Sequence, residues 1–355
     1  PPKSARLKLY DANPVEMAGL APLVLTTLDA DGNQRLDWPV ASGETYYIEV
    51  YGYSTDFDIR LANLLSHVGT DVIVYGTAGD DTFEFDAAAS REVTINGLAY
   101  HFEDTEVATV DFNGGEGRDV AWFYDSAGDE TVEAWPDRAI FANGVGDAVQ
   151  DYRVEVTGIE HLQAYATRGG TDSAVLHGSE GADKLKSYED FVRLRAKGSS
   201  YSLRAKKFDT IVGDCGPGGK DLAVFNGSDG NDTFTYMGAD NAARVEGKRR
   251  DHLATGFDSI LARAGGGEND VAHFTDIPGP EDRIDDVFYF RSHKTQLTGQ
   301  DVKVVARAFD EVHATASESG FDVARLYDTT DDDHLEVSGD AVKFYRRTGT
   351  ELDLI

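Results

Sequence analysis

The sequence predicts an all-β chain: a repeat solenoid of the parallel β-helix kind behind a short N-terminal antiparallel module. Three observations carry this. An Asp that opens a strand recurs at Asp71, Asp119, Asp172, Asp221, Asp270 and Asp322, with steps of 48, 53, 49, 49 and 52 residues. Apolar and polar residues alternate with period two after each of them, which is the side-chain period of a strand. Gly-rich clusters such as Gly114-Gly115-Glu116-Gly117 and Gly265-Gly266-Gly267 separate the strands, and sustained helical periodicity is missing apart from a weak stretch near 189–207.

Residues 1–70 stand apart from the repeat. Leu7-Lys8-Leu9-Tyr10, Leu23-Val24-Leu25, Glu44-Thr45-Tyr46-Tyr47-Ile48-Glu49-Val50 and Asp56-Phe57-Asp58-Ile59-Arg60-Leu61 read as antiparallel strands, with a turn at Pro39-Val40-Ala41-Ser42-Gly43. This region resembles the bacterial pre-peptidase C-terminal domain, which implies a small secreted β-sandwich, partial here. Asp29-Ala30-Asp31-Gly32-Asn33 has the acid spacing that opens an EF-hand loop but no flanking helices, so a hairpin turn is the reading.

From 71 to 355 the units start near 71, 119, 172, 221, 270 and 322. Each of about 49–53 residues holds enough short strands for two coils, each coil covering the apolar face of the last. A second block, Phe208-Asp209-Thr210-Ile211, Phe257-Asp258-Ser259-Ile260 and Phe309-Asp310-Glu311-Val312, precedes alternating small residues at Gly213/Cys215, Ala262/Ala264 and Ala314/Ala316. The shared offset predicts that Phe208, Phe257 and Phe309 stack in register in the core. A β-propeller with one blade per unit is the rival architecture.

Composition narrows the function classes. With 33 Lys plus Arg against 64 Asp plus Glu, the net charge of −31 repels nucleic acid and anionic membrane. Hydrophobic residues make up 41% and aromatics 10%, enough for a folded core. No apolar run approaches the roughly 18 residues of a membrane span. Pro1-Pro2-Lys3 lacks a signal peptide, and Glu351-Leu352-Asp353-Leu354-Ile355 is strand-like to its end, so the expectation is a segment of a longer chain.

The corners carry the candidate chemistry. Gly76-Thr77-Ala78-Gly79-Asp80-Asp81, Gly178-Ser179-Glu180-Gly181-Ala182-Asp183, Gly227-Ser228-Asp229-Gly230-Asn231-Asp232 and Gly114-Gly115-Glu116-Gly117-Arg118-Asp119 resemble the RTX calcium-binding nonapeptide. The resemblance implies Ca²⁺ as cofactor, with Asp81, Asp119, Asp183, Asp221, Asp232 and Asp270 as candidate ligands, because a hard cation takes carboxylates and glycine carbonyls. Glu130 in place of the Asp after Gly128, Pro280 after Gly279 and Asp331 in place of a corner Gly depart from the pattern. The competing reading is that these acids cap turns without metal.

No G-x-S-x-G elbow, P-loop or paired-His motif occurs, and Cys215 aligns with small inward residues, which reads as a packed thiol. The expectation is a non-enzymatic calcium-binding structural or adhesive segment of a secreted or cell-surface bacterial protein. The alternative is a β-helix polysaccharide lyase or epimerase, or its glycan-binding module. Between 184 and 250 the charge balance reverses, with 13 Lys/Arg against nine Asp/Glu. If neighbouring coils align them they form a basic stripe for anionic polysaccharide, the expected partner, alongside other surface proteins.

Overall fold

Inside–outside alternation sets the strands: Ser202–Lys206, Thr210–Asp214 and Thr233–Met237 each turn every second side chain into the interior. The computed structural model describes residues 6–11, 22–25, 27–28, 34–36, 38, 40, 43–52, 59, 61, 63–88, 91–143, 152–248, 250–279, 284–291, 293–299, 301–316, 321–327, 332–338, 341–348 and 351–354. The turn at 29–33, most of the expected strand at 56–61, Pro280 and Asp331 lie outside them. Apart from one short 3₁₀ turn at Gly238–Asp240, the described elements are all strands.

Two large sheets, one of 14 strands and one of 13, face each other across the apolar core. The 13-stranded sheet begins with the hairpin of Leu65–Val68 and Asp71–Tyr75, one strand before the expected boundary at 71. The 14-stranded sheet ends at Phe321–Leu326. Asp332–Ser338, Ala341–Thr348 and Glu351–Leu354 form a separate three-stranded antiparallel sheet. At the front, Arg6–Tyr10 pairs antiparallel with Val24–Leu25 and Tyr47–Tyr51, tied by Tyr10 and Lys8 to Glu49 at 2.7 and 3.2 Å.

The solenoid is there, and its unit is more particular than a pair of coils. Glu130–Trp135, Arg138–Asn143 and Arg153–Thr157 make an antiparallel meander in the 13-stranded sheet. The chain then crosses to His161–Tyr165 in the other sheet and returns to Ser173–His177. The next meander, Asp183–Ser187, Phe191–Ala196 and Ser202–Lys206, lies in the 14-stranded sheet. Each unit thus makes three crossings, one and a half turns rather than two. Because three is odd, successive copies occupy opposite sheets. Parallel ladders join the copies, as between Val120–Tyr124 and His161–Tyr165 or Ser173–His177 and Thr210–Asp214.

That parity corrects the expected aromatic stack. Phe208 follows a strand of the 14-stranded sheet and Phe257 one of the 13-stranded sheet, so they fill opposite seams. Both are buried, at 1% and 0% exposure, while Phe309 is only half-buried and packs on Phe234 at 6.1 Å. Two stacked pairs in the core join facing strands instead: Phe83 on Phe112 at 4.7 Å and Phe123 on Phe141 at 5.0 Å. Gly213, a small inward position, has Leu185 lying where its Cβ would be.

Candidate functional site

Four corners, each leading into an antiparallel meander, begin with Ser or Thr four residues ahead of an acid. Thr77 serves Asp81, Ser126 serves Glu130, Ser179 serves Asp183 and Ser228 serves Asp232. The hydroxyl accepts a glycine N–H two residues on, as from Gly181 to Ser179 at 3.1 Å, and donates to the carboxylate, as from Ser179 to Asp183 at 3.0 Å. The backbone N–H of Ser179 donates to the same carboxylate at 2.7 Å. This is a local turn motif in which the side chain replaces a missing backbone partner. Gly178 has to be glycine: a Cβ there would run into the Cys215 carbonyl and Asp183 Oδ2.

The same acids are linked from coil to coil. Asp183 N–H donates to Asp221 Oδ1 at 2.7 Å, and Asp221 N–H donates to Asp258 Oδ2 at 2.7 Å. The relay repeats as Asp81 to Asp119 to Glu160 at 2.8 and 2.7 Å, and as Glu130 to Asp172 to Asp209 at 2.8 and 2.8 Å. Its fourth copy is Asp232 to Asp270 to Asp310, at 2.8 and 2.7 Å. The six sequence candidates therefore fall into three pairs, Asp81/Asp119, Asp183/Asp221 and Asp232/Asp270, all buried. The structure adds Glu130/Asp172, which the sequence reading counted as a departure.

A different side chain completes each copy. Asn96 donates to Asp81 at 2.6 Å and Tyr152 to Glu130 at 3.3 Å. Tyr201 lies beside Asp183, and burial followed by that carboxylate holds its phenol well above the ordinary range. Arg250 pairs with Asp232 at 3.0 Å. Burial pushes Asp119 up to about 6, with the charges of Asp81 and Glu160 adding to it. Asp221 and Asp270 are also raised, burial again the main cause. Asp119 Oδ2 is buried without a hydrogen-bond partner.

Two acid triads converge among the described residues: Asp125, Glu130 and Asp172, and Asp276, Asp286 and Asp322. Neither contains any of the six sequence candidates. Burial raises Asp172 to about 7 and raises Glu130 as well. Asp125 is held by the N–H groups of Thr167 and Arg168 at 2.6 and 2.5 Å.

The structure also pairs Ser187 with His252, 2.8 Å apart, a juxtaposition hidden in sequence by a separation of 65 positions. Both are buried at 0% and 1%, and burial pushes the imidazole down to about 4, so the pair is a neutral hydrogen bond packed in the core. Cys215 is buried at 6%, and burial pushes its thiol up to about 12. A thiol held so far above neutrality is unreactive.

The basic span does align. Eight consecutive strands of the 14-stranded sheet, from His161–Tyr165 through Lys294–Thr298, carry ten Lys/Arg and a single acid, Asp183, which points inward. Cross-strand register places Lys184 opposite Arg195, Lys186 opposite Arg193, and Arg193 opposite Arg204. Further along, Arg263 faces Arg307, which faces Lys294. Lys206 belongs to this face, while Lys207 falls on an exposed corner with φ +64°. On the N-terminal side, Trp122 and Tyr124 stack on Tyr165 at 6.0 and 5.4 Å. The outer face of the 13-stranded sheet is different, with Asp71, Asp111, Glu133, Asp214 and Asp251 among its outward residues.

No family model matches the chain, and no curated protein matches it.

Proposed function

We propose that the chain is a non-enzymatic structural segment, a calcium-stabilised solenoid acting as spacer or adhesive body in a secreted or surface-anchored bacterial protein. The observation that carries the reading is the carboxylate-to-amide relay, repeated in four copies with distances of 2.7–2.8 Å. Its acids hold backbone, which is scaffold chemistry. The RTX-like glycine spacing of the corners supports the calcium and extracellular parts. So does the buried, partnerless Asp119 Oδ2: a hard cation there would offset the burial, and the smaller repulsion from Asp81 and Glu160, that together raise Asp119 to about 6.

Calorimetry tests this. The chain, stripped with a chelator and then supplied with calcium in the millimolar range, should melt higher with calcium than without, and magnesium should not substitute. An unchanged melting temperature removes calcium from the proposal. Release of product from an anionic polysaccharide would overturn the non-enzymatic reading itself.

A further inference from the structure

The outer face of the 14-stranded sheet is costly as built. Like charges directly opposite on a sheet destabilise it, yet Lys184/Arg195, Lys186/Arg193 and Arg193/Arg204 are opposed in register with no acid between them on those strands. The crowding reaches Lys184 itself: burial first, then Lys186, Arg195 and Arg263, pull its ammonium pKa down. Arg204 lies over the Phe191 ring at 4.4 Å, which holds its guanidinium in the plane of the face. In a chain of net charge −31, chance placement would not keep eight adjacent strands free of outward acids.

We infer that this face is the docking surface for a linear anionic polysaccharide, one carrying sulfate or uronate groups. Three features select that occupant. Strands of about five residues make the face roughly 17 Å wide, and neighbouring strands repeat about every 4.8 Å. Fixed-pitch rows of cations suit a polymer whose charge recurs along its length. The corners bounding the strip mix exposed Glu180, Asp209, Asp229 and Glu268 with Lys197, Lys207 and Lys220, so the unbroken run of cations is confined to the width of the strands, which suits a narrow chain better than a duplex. Finally, the half-buried Trp122 and Tyr165, stacked on each other from adjacent strands at 6.0 Å, extend the strip with an apolar aromatic edge against which the C–H groups of a sugar ring pack. The strip cannot pair with itself in a second copy, where cations would meet cations, and docking of a second copy through its acidic face works against a net charge of −31 on each partner.

The test uses the full 355-residue chain on immobilised heparin and on polygalacturonate, eluted with rising NaCl. Retention on at least one column, lost at high salt, is expected. The variant Lys186→Ser/Arg193→Ser/Arg195→Ser/Arg204→Ser should bind roughly tenfold or more weakly while melting no lower than the parent, since opposed charges have been removed. The smaller variant Lys186→Ser/Arg193→Ser deletes one opposed pair and should show a lesser drop in the same direction. Arg138→Ser/Arg153→Ser, on the other sheet, should leave retention unchanged. No retention by the parent at low salt, or retention undiminished in both face variants, overturns the inference. So does tighter binding of a single-stranded oligonucleotide than of either glycan. Salt-sensitive self-association in sedimentation, abolished by the same substitutions, would assign the face to a second copy instead. The inference rests on the sheet face and not on corner chemistry, so its failure leaves the structural proposal standing.

Discussion

The guanidinium of Arg250 lies 3.0 Å from Asp232 Oδ1, and both side chains are 1% exposed. Arg250 also donates to the Asn226 carbonyl at 2.6 Å. At this corner a protein cation already occupies the side of the carboxylate that a metal would approach. The other copies place Asn96, Tyr152 and Tyr201 at the equivalent position, so four corners solve one electrostatic problem in different ways.

Removing the guanidinium should therefore be severe. Arg250→Met leaves Asp232 as a buried charge without its partner, a change that costs about 3–5 kcal/mol. Arg250→Met/Asp232→Asn should recover part of the loss. Urea denaturation of the two variants reads the difference, and equal stability of both would show that the pair is not coupled.

Stability should rise as the solution is acidified from about pH 8 to about pH 5. Asp172 is raised to about 7 and Asp119 to about 6, both mainly by burial. An acid with a raised folded pKa binds its proton more tightly in the native state. Its contribution is complete below the unfolded value near 3.8 and is lost as pH climbs through the folded one. The charges that act most on Asp172 are the acids Glu130 and Asp125; the cations of this corner are engaged elsewhere, Arg168 on the Asp125 carbonyl and Asp86, and Arg91 over the Tyr152 ring, and the net shift is upward. Melting temperatures at several pH values check it, and Asp172→Asn should flatten the profile between about 6 and 8.

Ser179→Ala should destabilise by about 1–3 kcal/mol. The hydroxyl accepts from Gly181 and donates to Asp183, so its loss leaves a turn N–H and a buried carboxylate each short of a partner. Ser179→Thr retains the donor, as Thr77 does beside Asp81 at 3.1 Å, and should be close to neutral. Denaturation midpoints distinguish the two.

Phe257→Ala should cost about 3–5 kcal/mol as a truncation in a close-packed interior. Phe309→Ala, at the half-buried equivalent position, should cost less than half as much. Similar losses at both would mean that the terminal coils are as tightly packed as the middle ones.

Much of the fold was legible because it is local. The Asp that opens each strand, the glycine corners and the small inward residues at Ala164, Gly213 and Ala262 are all set by nearest-neighbour geometry, and periodicity reports them. The swap of sheets was not legible, since it depends on the parity of crossings, and Phe208 and Phe257 look equivalent in sequence whether a unit makes three or four. Glu130 misled for a related reason. One extra methylene lets it reach Ser126 and Tyr152 from a corner whose coil advance differs, so a mismatch to the nonapeptide conceals an equivalent corner. The Ser/Thr that opens four of the corners has a role only through contacts that sequence does not display, its hydroxyl bridging glycine and acid. The Ser187–His252 contact joins strands in opposite sheets, and no local pattern encodes that.

The one-and-a-half-turn unit constrains how such a chain can change length. Duplicating or deleting a single copy would rotate everything downstream by half a revolution, exchanging the basic side for the acidic side along the rest of the body. Two copies gained or lost together keep the orientation. A lineage that uses one side for contact can therefore expand only in even steps, and an odd copy number relative to a cousin marks a body that presents its opposite flank.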